Sequence, residues 1–173
     1  MKNLFASLLA LATLAFTVQA ADVTVKITDV HLCCGSCVKG VNKAVAAVPN
    51  VTAQSDQDDG SVTLTGPDTA TLQKATDALT DAGYFGKTAD ATIKISSETG
   101  AKGVKVSSLK IAGVHLCCGK CVKAVNRILA SVPGVEANTA AKGAKDFEVT
   151  GKDFNDADVF AALQKGGLTG KVE

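Results

Sequence analysis

The chain has 173 residues, 18 basic and 17 acidic side chains and a formal net charge of +1, so it has no basic excess with which to bind nucleic acid. Its 46% hydrophobic and 20% charged residues fit ordinary globular domains and exclude a chain too polar to fold. No stretch beyond the N-terminus is apolar enough to cross a bilayer.

Residues 1–20 read as an export signal. Lys2 supplies the positive start, and Leu4 to Val18 is apolar apart from Ser7 and Thr13. Val18-Gln19-Ala20 then offers small residues where a signal peptidase reads. Cleavage is expected before Ala21 or near it, with no membrane insertion afterwards and no cysteine at the junction for a lipid anchor. The expectation is a periplasmic or secreted protein, in a compartment where thiols tend to oxidise.

The first element beyond the signal is a half-buried strand, in which Val23, Val25 and Ile27 alternate with Thr24, Lys26 and Thr28. A cysteine-rich loop follows. Val38, Val41, Val45 and Val48 then fall at helical spacing, with Pro49 as the stop. Two short strands are expected around 51–55 and 61–65, joined by an Asp58-Asp59-Gly60 turn. Leu72, Ala75, Leu79 and Ala82 mark a second helix ended by Gly83, and a last strand starts near Phe85. The order strand, helix, strand, strand, helix, strand is the ferredoxin-like βαββαβ pattern.

The pattern then comes again. Val30 to Asn42 reads VHLCCGSCVKGVN and Val114 to Asn126 reads VHLCCGKCVKAVN, identical at 11 of 13 positions and 84 residues apart. Val48-Pro49-Asn50-Val51 returns as Val132-Pro133-Gly134-Val135, and Gly83-Tyr84-Phe85-Gly86-Lys87 as Gly167-Leu168-Thr169-Gly170-Lys171. The fold class expected is therefore α+β: two tandem ferredoxin-like domains, 22–89 and 106–173, joined by a flexible linker over 90–105. Ala91 to Ile95 alternates and would otherwise extend the last strand. The halves carry opposite charge, −3 over 21–87 and +3 over 103–173. That difference reads either as chance on two solvated surfaces or as a sign that the halves attract each other or choose different partners.

All six cysteines and both histidines lie in the repeated segment. Cys34 and Cys37, like Cys118 and Cys121, stand three apart where a loop enters a helix. Both sulfurs can then face one point beyond the helix start, where free N–H groups and the helix dipole favour thiolate. The loop, the valine-rich helix and the Val-Pro-x-Val stretch resemble the heavy-metal-associated domain of copper chaperones, metal-pumping ATPases and the exported mercury-binding protein. That family's loop is Gly-Met-Thr-Cys-x-x-Cys, with Ala-Gly-Tyr later, matched here by Ala82-Gly83-Tyr84 but by Gly166-Gly167-Leu168 in the second copy.

The resemblance implies a soft-metal site in each domain, with ligands Cys34 and Cys37 in one and Cys118 and Cys121 in the other. Leu32 and Leu116 take the place of the buried Met. His31 and His115 replace the glycine and Cys33 and Cys117 the threonine, which makes these four candidate additional ligands. Two thiolates suit Cu(I) or Hg(II), and a further sulfur or imidazole admits Zn(II). Cu(I) is the first expectation, with a metal donor or acceptor protein, such as a metal transporter, as partner. No enzymatic set is present: there is no phosphate loop, no Ser–His–Asp set and no HExxH spacing. Two other classes stay open, a thiol–disulfide oxidoreductase and a disulfide-linked interaction module. Three cysteines per loop leave one thiol over in the latter.

Overall fold

The computed structural model describes residues 21–173, so the expected signal at 1–20 lies outside the described residues. The first half runs β1 (Val23–Ile27), α1 (Gly35–Val45), β2 (Thr52–Asp56), β3 (Ser61–Gly66) and α2 (Thr69–Asp81). The second runs β4 (Lys105–Ala112), α3 (Gly119–Leu129), β5 (Val135–Asn138), β6 (Asp146–Asn155), α4 (Asp156–Lys165) and β7 (Lys171–Val172). Both sheets are antiparallel, in the orders β1-β3-β2 and β5-β6-β4-β7. In each the first and third strands of the half pair with each other, as in a ferredoxin-like sheet, centrally in the second half and at the β1 edge in the first.

The strand expected near Phe85 is reduced to one bridge, Thr28 to Lys87, on the free edge of β1. Period-two patterning does hold in the strands: Val25 and Ile27 are buried and Thr24 and Lys26 exposed, with Leu109 and Ile111 buried in β4. On α1 the buried positions are Cys37, Val41 and Val45, one stripe at i, i+4 and i+8. The helices stop at Val45 and Leu129, ahead of Pro49 and Pro133. A tight turn intervenes, closed by Val48 N–H to Val45 O at 2.9 Å and Val132 N–H to Leu129 O at 3.0 Å. The prolines follow the stop rather than cause it.

The stretch 90–105 has no helix or strand before Lys105, yet it is fastened along its length. Ile93 is buried. The Gln73 amide donates to Lys94 O at 2.7 Å and accepts from Lys94 N–H at 2.8 Å. Asp156, itself buried, accepts from the N–H groups of Lys102 at 2.8 Å and Val104 at 2.9 Å. Burial opposes its ionisation, but N–H donors from Lys102, Val104, Ala157 and Gly103 outweigh it and hold the carboxyl below its ordinary range. A satisfied polar anchor has replaced the flexible connection expected from a Ser/Gly/Thr composition.

The two halves meet through the turns that follow α2 and α4. Tyr84 bridges Leu168 antiparallel; Thr169 N–H donates to Gly83 O at 3.0 Å and Phe85 N–H to Gly167 O at 3.1 Å. Gly83 (φ 86°) lies against the Gly113–His115 backbone, and Gly167 (φ 77°) against Asp29–His31. In each position the left-handed backbone and the lack of space for a Cβ both require glycine. The Tyr84 and Leu168 side chains are buried at this junction, and the apolar side chains of both halves form one continuous core. The opposite net charges contribute one ion pair across it, Lys171 to Asp81 at 2.8 Å and exposed, of a kind that stabilises little.

Replacing Asp156 by Ala strands two backbone N–H groups and should cost about 1–3 kcal/mol. The check is a lowered unfolding midpoint together with faster hydrogen exchange at Lys102 and Val104; unchanged exchange there refutes the anchor.

Candidate metal centre

Each cysteine loop is shaped by the helix it enters. Cys34 and Cys118 are N-cap residues in extended conformation, φ −168° and −150°, and Gly35 and Gly119 open the helices. Cys37 and Cys121 lie in the first turn, fully buried against the core, and Leu32 and Leu116 are buried as expected. Cys33, Cys34, Cys117 and Cys118 are half-buried, so the site reaches solvent through them.

The tertiary arrangement differs from one site per domain. Docking of the halves brings the two helix starts together, and all six sulfurs form a single cluster. Cys33 Sγ lies 3.5 Å from Cys121, 3.6 Å from Cys37 and 3.7 Å from Cys118. Cys34 and Cys118 are 3.6 Å apart, Cys37 and Cys117 3.7 Å, Cys37 and Cys121 3.9 Å. Within a loop the expected pairs stand no closer, Cys34–Cys37 at 4.0 Å and Cys118–Cys121 at 3.8 Å. All six thiols are free. With a metal–sulfur bond of about 2.3 Å, sulfurs stand about 4.0 Å apart around a trigonal ion, about 3.8 Å around a tetrahedral one and about 4.6 Å across a linear one. The observed spacing suits three or four coordination.

Cys33 and Cys117 thus join Cys34, Cys37, Cys118 and Cys121 in the cluster. The histidines part company. A ring nitrogen of His31 lies within 4.8 Å of the Cys33 and Cys121 sulfurs, and its buried Nε2 has no hydrogen-bond partner. His115 lies beside Cys37, whose thiolate it stabilises, and it has a second partner. Its Nε2 is 3.0 Å from the Tyr84 hydroxyl, and its ring stacks on Tyr84 with centroids 4.4 Å apart. The Tyr84 hydroxyl donates its one proton to Cys37 O at 2.7 Å, so the His115 Nε2–H donates to the Tyr84 oxygen.

Tyr84 was visible in the sequence only as part of a motif, and its place at the site was missed. Two differences between the copies carry the signal. Gly40 stands where the second copy has Ala124, and Tyr84 where it has Leu168. A Cβ on Gly40 would collide with the Tyr84 hydroxyl and lie 2.8 Å from the His115 ring. Tyrosine and glycine therefore go together on one side of the centre, leucine and alanine on the other. Leucine has no hydroxyl, and His31 is left without a partner.

The thiols do not share one acidity. Burial pushes Cys33 and Cys117 up to about 12. Cys118, where the Cys121 N–H favours the anion first, is lowered to about 6. Cys37 is held low by the thiol proton of Cys121, with His115, Cys33 and Cys117 adding to it, and Cys121 is raised by the same partnership. Burial lowers His31, keeping its imidazole neutral. At neutral pH thiolate and thiol sit side by side, and an entering cation displaces the remaining protons.

No family model matches the chain, and no curated protein matches it. Among solved structures it is similar to the N-terminal soluble domains of Bacillus subtilis CopA, with 15% identity, a TM-score of 0.35, and 89% of this chain and 95% of that one covered. It is also similar to the first two RRM domains of yeast poly(U) binding protein, with 9% identity, a TM-score of 0.27, and 87% and 97% covered.

Two results are expected from this geometry. Limited alkylation of the reduced protein at pH 7 should label Cys118 ahead of Cys33 and Cys117; because its folded pKa is depressed, labelling should fade as pH falls through about 6. Faster labelling of Cys33 or Cys117, read by peptide mass mapping, contradicts the order. Separately, Gly40→Ala should lose about 1–3 kcal/mol by overpacking, and much less when Tyr84→Leu is present. Equal losses in both backgrounds, read from thermal or denaturant unfolding, would show that the tyrosine does not require the glycine.

Proposed function

We propose that the protein is an exported carrier of a soft d10 metal ion, which it binds through cysteine thiolates and sequesters or passes on. The observation that carries this reading is the cluster of six free sulfurs, in which nine pairs are 3.5–4.0 Å apart, close to the ~3.8–4.0 Å that three- or four-coordinate metal–sulfur bonding needs. Cu(I) is the first choice, because soft thiolates select it and three-coordination satisfies it. Zn(II) is next, with His31 as a nitrogen ligand. Hg(II) in its two-coordinate form is the poorest match to these distances.

Transfer proceeds by ligand exchange. A thiol from a donor or acceptor protein, such as a metal transporter, adds through the half-buried face formed by Cys34 and Cys118 before a bound thiolate leaves. No residue acts as acid or base on a substrate, and the protein is a binding protein rather than an enzyme. Export rests on the sequence of residues 1–20; among the described residues no helix is long and apolar enough to cross a membrane.

The test is competition of the reduced protein against chromophoric chelators for Cu(I), Zn(II) and Hg(II). A structural metal site is worth about 10–16 kcal/mol shared over four ligands, so losing one ligand costs on the order of 100-fold in affinity. The Cys34→Ser/Cys118→Ser variant should weaken Cu(I) binding by at least about that factor. Unaltered affinity sinks the proposal, and insulin reduction abolished in the same variant would point to a thiol–disulfide oxidoreductase instead.

A further inference from the structure

The arrangement of the six sulfurs carries more information than their number. Cys33, for example, has Cys37, Cys118 and Cys121 at 3.5–3.7 Å and Cys34 within 4.8 Å. Every other sulfur likewise has four sulfur neighbours, through separations of 3.6–4.0 Å and the Cys34–Cys117 and Cys117–Cys118 pairs within 4.8 Å. These twelve contacts, four to each sulfur, leave Cys33–Cys117, Cys34–Cys121 and Cys37–Cys118 to stand opposite one another when the six sulfurs are arranged as an octahedron.

Four triangular faces of that octahedron are Cys33/Cys34/Cys118, Cys34/Cys37/Cys117, Cys117/Cys118/Cys121 and Cys33/Cys37/Cys121, the last with edges of 3.6, 3.5 and 3.9 Å. Each sulfur belongs to two of them, and no two share an edge. The other four faces form an equivalent alternate set; adjoining faces share an edge, so one set is filled at a time. Three thiolates around an ion at about 2.3 Å need edges near 4.0 Å. A sulfur has lone pairs enough to bridge two ions.

Deepening the soft-metal reading, on which it rests, we propose that the two loops are halves of one tetranuclear Cu(I)–thiolate core. Four ions occupy alternate triangular faces, and each cysteine bridges two of them. Loading breaks the S–H bonds that remain, sends those protons to solvent and forms copper–sulfur bonds without any change of oxidation state. Six thiolates and four Cu(I) leave a core of charge −2, at a point where the N-termini of α1 and α3 converge with their positive dipole ends. His31 adds a nitrogen ligand at a face containing the Cys33–Cys121 edge. A separate ion in each loop is disfavoured by the distances: for Cys37, sulfurs of the other loop at 3.7 and 3.9 Å are as near as Cys34 at 4.0 Å.

The experiment uses the reduced chain from Ala21 onward, loaded without oxygen from a buffered Cu(I) chelator. Native mass spectrometry reads the number of ions per chain, and X-ray absorption reads metal–metal neighbours. The expected result is a monomer that passes from the apo form to four Cu(I) with little intermediate population, and that shows short metal–metal scattering. Cys33→Ser, checked for an unchanged apo circular dichroism spectrum, should lower the plateau because two faces lose a corner. A plateau at one or two ions without metal–metal scattering, indifferent to Cys33→Ser and Cys117→Ser, overturns the shared core and leaves soft-metal binding standing. Uptake no greater than that of a cysteine-free variant overturns both.

Discussion

Gly83 and Gly167 set the distance between the two halves, and everything chemical in the molecule follows from that distance. Each takes a left-handed backbone conformation, and each presses its bare Cα face against the backbone that leads into the opposite cysteine loop. Side chains at these points would hold the loops apart by the thickness of a methyl group or more, and sulfur–sulfur contacts do not survive such a shift. The hydrogen bonds around Tyr84 and Leu168 then fix the register of the contact. Fold and site are one construction here: the same junction closes the common core and gathers the six sulfurs.

Gathering six thiols has a cost that metal can offset. Burial raises the thiols that keep their protons, and the few thiolates present are held by neighbouring S–H and N–H donors rather than by cations. Sulfur is a weak donor and a weak acceptor, so the cluster contributes less to stability than an equal volume of hydrocarbon. Any ion that binds the folded form but not the unfolded one repays that deficit through linkage.

Near-identity of the two copies conceals an asymmetry in hydrogen bonding. On one side Tyr84 fills the space above Gly40, donates to Cys37 O and accepts from His115. On the other, Leu168 lies at the matching place, and His31 has a buried nitrogen with no partner and two sulfurs nearby. One histidine is tied to a tyrosine and the other keeps an unpartnered nitrogen. A single hydroxyl decides which is which.

Much of this was legible in the chain itself. Alternation at Val23–Ile27, the valine stripe of α1 and the break at Gly83 are local signals, because a strand or helix face is set by its own period. The hydrogen bonds that fasten 90–105 are not visible in its composition, because Gln73 and Asp156 lie 21 and 52–54 residues away from their partners. The fourth strand of the first half shrank to a bridge because its residues turn instead into the junction. Residue type and spacing are enough to mark the cysteines and histidines as candidate soft-metal ligands and to put Cys34, Cys37, Cys118 and Cys121 at helix starts. The packing of the two halves brings the six sulfurs of both loops into one cluster and gives His115, but not the buried Nε2 of His31, a hydrogen-bond partner in Tyr84. Those outcomes depend on how two separately encoded surfaces pack against each other, and the periodicity of neither surface contains that contact.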